Sequence, residues 1–211
     1  MERKVLLVVD VQNDFCPDGA LAVKGGDKVV PVLNRYIELF KRAGLPVIAT
    51  RDWHPAKTVH FKAYGGTWPP HCVQGTKGSE FHPDLKLPPD TIVMSKGTSP
   101  DEDSYSGFDG RDDKGRALLQ VLKEKGIGHI YIGGLATDYC VLQTALDAAK
   151  NGIGITVLTD AVKGVDLNIG DSERAMKRMK AAGALETTIA RIEGELKGGG
   201  YGSSEDKKRR A

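Results

Sequence analysis

Five short apolar runs constrain this chain more than any other feature. Residues 5–9, 46–50, 91–95, 130–132 and 155–159 are rich in valine, isoleucine and leucine, and longer stretches separate them. The first, Val5-Leu6-Leu7-Val8-Val9, is apolar without alternation. That is the pattern of a strand buried on both faces. Segments with helical spacing lie between the runs. Asp27 can cap a helix that carries Val29, Val30, Leu33, Ile37, Leu39 and Phe40 and closes near Gly44. Further helices are expected from about residue 114 to Gly126, from Cys140 to Asn151-Gly152, and from about residue 172 to Gly183. A weak sixth strand is expected near Leu185-Glu186-Thr187-Thr188. Strands alternating with helices give parallel pairing, right-handed crossovers and helices on both faces. The expected fold is a three-layer α/β/α arrangement around a mainly parallel six-stranded sheet, Rossmann-like in plan.

The 211 residues suffice for one sizeable α/β domain, read here as residues 1–197. Residues 198–211, mostly glycine, serine and charge, read as a disordered tail. A net charge of +2 offers no strong field to nucleic acid or a membrane surface. No apolar run approaches the ~20 residues of a spanning helix. The first run is too short for a signal h-region and lacks a cleavage site, so a cytoplasmic location is expected. Cys16, Cys72 and Cys140 are odd in number and widely spaced, which argues against a disulfide framework or a cysteine-rich zinc site.

In parallel sheets ligands bind outside the carboxyl ends of the strands. Those ends carry Asp10, Asp52, Lys96, the turn Gly133-Gly134-Leu135-Ala136-Thr137-Asp138-Tyr139-Cys140, and Asp160. Thr137 or Asp138 can cap the helix after that turn. Cys140 then falls in its first turn, where partial positive charge lowers a thiol pKa. Cys140 is thus either a nucleophile or a small buried hydrophobe. Asp10 and Lys96 either serve it as base and cationic partner or form a structural ion pair. Backbone amides around residues 136–140, at a helix start, are natural oxyanion donors. The set suits acyl transfer from an amide or ester. Asp160 has only its strand end behind it and reads as a capping residue.

Residues 52–90 form a long stretch of proline, glycine, histidine and aromatics. So long a loop is functional or disordered, and Trp53 and Trp68 argue against disorder. Asp52 and His54 share a face of an extended segment, and His71 enters from the same loop. Two imidazoles and a carboxylate suit Zn²⁺, Fe²⁺ or Mn²⁺ with open positions left over. His60 is a candidate fourth ligand and His82 a weaker one. The alternative is that these histidines are turn and surface residues.

Five motifs carry a resemblance. They are Val8-Val9-Asp10-Val11-Gln12-Asn13-Asp14-Phe15, Asp52-Trp53-His54-Pro55, Thr67-Trp68-Pro69-Pro70-His71-Cys72-Val73-Gln74-Gly75-Thr76, Lys96-Gly97-Thr98 and Leu135-Ala136-Thr137-Asp138-Tyr139-Cys140-Val141. Together they resemble the nicotinamidase/pyrazinamidase branch of the isochorismatase-like hydrolases, over about residues 4–190. The resemblance implies that fold, and hydrolysis of nicotinamide to nicotinate and ammonia in NAD salvage, with pyrazinamide as a further substrate. It implies a triad of Asp10, Lys96 and Cys140, with a thioester on Cys140. One divalent metal, zinc favoured, would sit on Asp52, His54 and His71, with the role of His60 open. Phe15, Trp68 and Tyr105 would wall the pocket. The Ala136–Thr137 bond would be cis, aiming the Ala136 amide at the oxyanion beside that of Cys140. The main alternative is a related amidohydrolase acting on another heteroaromatic carboxamide or a carbamoyl amine. A non-catalytic metal- or ligand-binding domain is a second. Neither nucleic acid nor membrane is expected as a partner, and the oligomeric state is left open.

Overall fold

The computed structural model describes residues 3–198, with the side chains of 194–198 set aside. The expected tail beyond Gly198 lies outside the described residues. Six strands form one sheet: β1 (Arg3–Val9), β2 (Val47–Asp52), β3 (Ile92–Lys96), β4 (Ile127–Leu135), β5 (Gly154–Lys163) and β6 (Leu185–Thr187). Their order is β3-β2-β1-β4-β5-β6, and every neighbouring pair is parallel. The sheet is therefore wholly parallel, and its order reverses between β1 and β4. A crevice opens at such a reversal because the connections leave in opposite directions.

The unalternated run in β1 is explained by its two faces. Leu6 and Val8 pack with α1 (Val29–Arg42) and α5 (Ile189–Gly198). Val5, Leu7 and Val9 pack on the other side with α2 (Leu118–Glu124), α3 (Leu142–Lys150) and α4 (Asp171–Ala181). Both faces are dry from Val5 to Val9, so polar side chains are confined to the exposed Arg3 and Lys4 at the start and to Asp10 at the end.

Several boundaries differ from those expected. The helix foreseen from residue 114 starts at Leu118. The Asp112 carboxylate accepts the Lys114 and Arg116 amides at 3.0 and 2.8 Å, which folds that segment into a turn instead. Asp27 does not cap α1, which is entered through a short 3₁₀ turn, Gly26–Lys28. Asp160 lies inside β5, which continues to Lys163 after a shift in its register with β4. Its carboxylate accepts the Tyr36 hydroxyl and the Ile189 amide, each at 2.8 Å. It thus caps the start of α5 and anchors α1 through the Tyr36 side chain.

The glycines of Gly133-Gly134 belong to β4, not to a turn after it. Gly134 has φ +127°, and a Cβ there would stand 2.1 Å from the Val9 carbonyl oxygen. Only glycine allows β4 to run this close to β1 where the sheet reverses. Gly134→Ala is expected to cost at least about 2 kcal/mol through backbone strain and collision. Urea unfolding of the purified variant measures it, and an unchanged midpoint would refute this account.

Candidate active site

The register brings four strand ends together. Val9 pairs with both Thr50 and Gly134, and Asp52 pairs with Lys96. Asp10 follows β1 with φ +48°, in the left-handed region, so the chain turns sharply as its carboxylate enters the crevice. Lys96 is 1% exposed. Its Nζ lies 3.0 Å from Asp10 Oδ2 and 3.4 Å from Cys140 Sγ, and it donates to Asp52 Oδ1. Thr50 Oγ1 donates to Asp10 Oδ1 at 2.6 Å. Asp10 Oδ2 makes no well-directed hydrogen bond within the chain. That leaves it facing the cluster with acceptor capacity to spare.

Burial raises the Asp10 pKa; Lys96 opposes the rise and Asp52 adds to it. Burial works against the Lys96 charge, yet Asp10 and Asp52 hold its pKa well above the ordinary lysine value. Burial and Lys96 pull Asp52 in opposite directions, and Lys96 with the histidines wins, so this carboxylate stays ionised. Cys140 departs from expectation. Burial drives its thiol well above the usual range, against the pull of Lys96 and with the push of Asp10 and Asp52. Desolvation outweighs the helix start, because a thiolate enclosed beside two carboxylates is poorly solvated. Such a thiol needs a base in contact with it, and a carboxylate whose own pKa is raised is a stronger base for that purpose.

Cys140 sits in a single π-type turn, Thr137–Val141, between Ala136 and α3. Neither Thr137 nor Asp138 caps this turn. Asp138 instead accepts the Val165 and Asp166 amides at 2.9 and 2.8 Å, tying the loop after β5 to the cysteine turn. The cis peptide is Leu135–Ala136, one bond earlier than the resemblance implied. Ala136–Thr137 is trans, and the Ala136 carbonyl accepts the Tyr139 and Val141 amides at 3.1 Å.

A second cluster adjoins the first. His54, His60 and His71 are buried, with one ligand atom of each within 4.8 Å of the others. His54 Nδ1 donates to the Gly97 carbonyl at 3.1 Å and His71 Nδ1 to the Pro69 carbonyl at 2.8 Å. His60 Nδ1 faces the Asp103 carboxylate. With each Nδ1–H so engaged, the Nε2 lone pairs are free for a cation. His54 Nε2 is buried without a partner, the orphaned atom expected at a metal position. Asp52 Oδ2 lies 3.7 Å from His54 Nε2 and 3.8 Å from His71 Nε2. Burial pushes His71 down to about 4, which preserves the neutral ring a metal needs. The three expected ligands are thus gathered, and His60 joins them. His82 does not; its Nδ1 accepts the Asp84 amide. The residues present fit one divalent cation of the zinc type.

Both clusters open on one cleft of at most about 350 Å³, walled by Phe15, Leu21, Trp68, Tyr105, Tyr139 and Val165. Trp68 Nε1 donates to the Tyr105 hydroxyl at 2.9 Å, and the Trp68 and Tyr139 rings meet edge-on at 5.0 Å. Phe15, Trp68 and Tyr105 were expected here. Leu21, Tyr139 and Val165 were not, although Tyr139 adjoins Cys140 in the motif. The supporting residues Gln12, Thr50 and Asp103 were missed as well. The Gln12 side chain accepts the Asp52 amide at 2.8 Å and donates to the Asp52 carbonyl at 2.8 Å, clamping the end of β2. Its place two residues after Asp10 was the available signal; Asp103 and Val165 had none in their spacing.

The metal reading has a direct test. Asp52→Ala or His71→Ala should lower bound metal well below one equivalent in elemental analysis of protein purified without chelator. Full occupancy in both variants would remove the site.

Comparison with known proteins identifies the family. The isochorismatase domain model matches residues 4–191. The nicotinamidase of Escherichia coli K12 is 42% identical over 207 residues, covering 90% of this chain and 97% of the relative. The nicotinamidase/pyrazinamidase of Mycobacterium tuberculosis is 40% identical, covering 85% and 95%. The crystal structure of Pyrococcus horikoshii pyrazinamidase in complex with zinc is 47% identical and matches with a TM-score of 0.82 over 88% of this chain and 99% of that one. A domain match of this extent, backed by relatives aligned along nearly their whole length, places the chain in the isochorismatase domain family.

Proposed function

We propose that the chain is a nicotinamidase, hydrolysing nicotinamide to nicotinate and ammonia, with pyrazinamide as a second substrate. The observation that carries this is the meeting of Asp10 and Lys96 with Cys140, which lines an aromatic cleft shared with Asp52, His60 and His71. The names of the E. coli and M. tuberculosis relatives support it. A flat pyridine ring suits walls of Phe15, Trp68 and Tyr105 by stacking and edge contact. The cleft is too small for a dinucleotide.

Asp10 takes the Cys140 proton as the sulfur attacks the carboxamide carbon. The C–S bond forms, and the carbonyl electron pair moves onto oxygen. That oxyanion is received by the amides of Ala136 and Cys140. Lys96 stays charged and holds Asp10 and Sγ within reach of each other. Asp10 then gives its proton to the amide nitrogen, the C–N bond breaks, and ammonia leaves a thioester. A water deprotonated by Asp10 attacks the thioester, the C–S bond breaks, and the thiol is restored as nicotinate departs. Asp52, His54, His60 and His71 would hold the divalent ion. When bound, it supplies a Lewis-acidic position for the pyridine nitrogen and so fixes the distance from ring to sulfur. We assign zinc, on the histidine-rich donor set and on the zinc in the Pyrococcus structure. Three cysteines without a disulfide suit a reducing compartment, consistent with a place in the cytoplasm and in NAD salvage.

Ammonia release from nicotinamide, pyrazinamide and a carbamoyl amine separates this activity from that of related amidohydrolases. Turnover of the carbamoyl amine alone would overturn the assignment. Cys140→Ala should abolish ammonia release while calorimetry still detects nicotinamide binding. Substantial residual turnover in that variant would sink the thioester mechanism.

A further inference from the structure

The three imidazoles of the cluster are held from behind in two different ways. His54 and His71 donate to backbone carbonyls, of Gly97 and Pro69. His60 Nδ1 lies instead 2.5 Å from Asp103 Oδ1, a side chain and an anion. The His60 side chain is 3% exposed and that of Asp103 is 58% exposed. A buried ligand is thus steered by a group that stands in water.

We propose that Asp103 is a positioning residue for the metal site: acting through His60, it sets how tightly the divalent cation is held. This rests on the metal reading given above and goes beyond it. A carboxylate behind a ligating imidazole fixes the tautomer, so that Nε2 and not Nδ1 faces the ion. It also makes Nε2 a better donor, because negative charge on the far nitrogen's partner is relayed through the ring. Backbone carbonyls do the first of these and only weakly the second. The remaining ring contacts of His60 are stacking on His54, with centroids 4.4 Å apart, tilted approaches to His71 at 5.3 Å and Tyr105 at 5.6 Å, and an edge contact with Phe61 at 6.1 Å. Such contacts set the plane of the ring and leave its rotation within that plane free.

Asp103 belongs to a segment fastened to the histidine loop at three points. The Pro100 carbonyl accepts the Val59 amide at 2.8 Å, and the Tyr105 hydroxyl accepts the Trp68 indole. Asp103 lies between these two fastenings, and its own contact ends on a residue of the cluster. The flanking attachments hold the backbone, so a change at Asp103 removes the carboxylate and leaves the segment seated. Exposure of its side chain means that substitution opens no cavity and strands no buried charge, which makes the residue separable from folding.

The test uses the full chain, stripped with a chelator and titrated with Zn²⁺ against a chromophoric competitor. Wild type, Asp103→Asn, Asp103→Ala and Asp101→Asn are compared; Asp101 is an exposed neighbour that controls for loss of one negative charge. Wild type and Asp101→Asn should bind one equivalent equally well. Both Asp103 variants should bind about tenfold or more weakly, within the range known for outer partners of metal-bound histidine. The stripped proteins should all melt at the same temperature. Wild-type affinity in both Asp103 variants, an equal loss in Asp101→Asn, or early melting of the stripped Asp103 variants would each overturn the proposal. A wild-type chain that takes up no zinc would overturn the metal reading itself, and this proposal with it.

Discussion

One buried ammonium organises this molecule. Lys96 is enclosed at the end of β3, and a charge so enclosed persists only when paired and hydrogen-bonded. Two carboxylates from two other strands provide that, Asp10 after β1 and Asp52 at the end of β2. The pairing requires β3, β2 and β1 to lie side by side and in register. The single ammonium offsets only one of the two carboxylate charges, and burial with Asp10 and Asp52 favours a neutral thiol beside them. Removing Lys96 would leave two buried carboxylates without their counter-charge, a far larger penalty than the loss of a surface pair.

Asp52 is where the two clusters meet. Its Oδ1 belongs to Lys96, while Oδ2 faces His54 and His71. The carboxylate is therefore shared between the group that serves the sulfur and the groups that would hold the cation. Gln12 clamps its backbone on both sides. A displacement of this one residue would be felt by both clusters, so the spacing of the histidines from Lys96 and Cys140 depends on a single strand end.

Much of this was legible in the chain itself, for physical reasons. Unalternated apolar runs mark strands covered on both faces, and a parallel sheet sends all their carboxyl ends to one edge. Asp10, Asp52, Lys96 and Cys140 were therefore gathered before any side chain was placed. Histidines at 54 and 71 were legible because an i, i+2 pair and a long ordered loop limit where imidazoles can go. What stayed hidden depends on tertiary detail. The raised Cys140 pKa comes from neighbours that desolvate it, against a local helix-start effect that pointed the other way. Asp138 looked like a cap but is claimed by the loop after β5. Asp103 reaches His60 across 43 positions of chain, and no local pattern encodes such a contact.

The reversal of strand order between β1 and β4 has a consequence for how the chain comes into being. Asp10, Asp52, the three histidines and Lys96 all precede residue 97, whereas the cysteine arrives more than forty positions later. The strand leading to it must insert beside β1, a partner made at the very start of synthesis. During translation the acid, the ammonium and the imidazoles can assemble while the thiol has not yet been made. Cys140 and Asp10 thus meet only when β4 pairs with β1, a long-range and slow class of contact in folding. The thiol therefore joins the acid and the ammonium only once β4 is in place, and a chain stopped before β4 lacks Cys140.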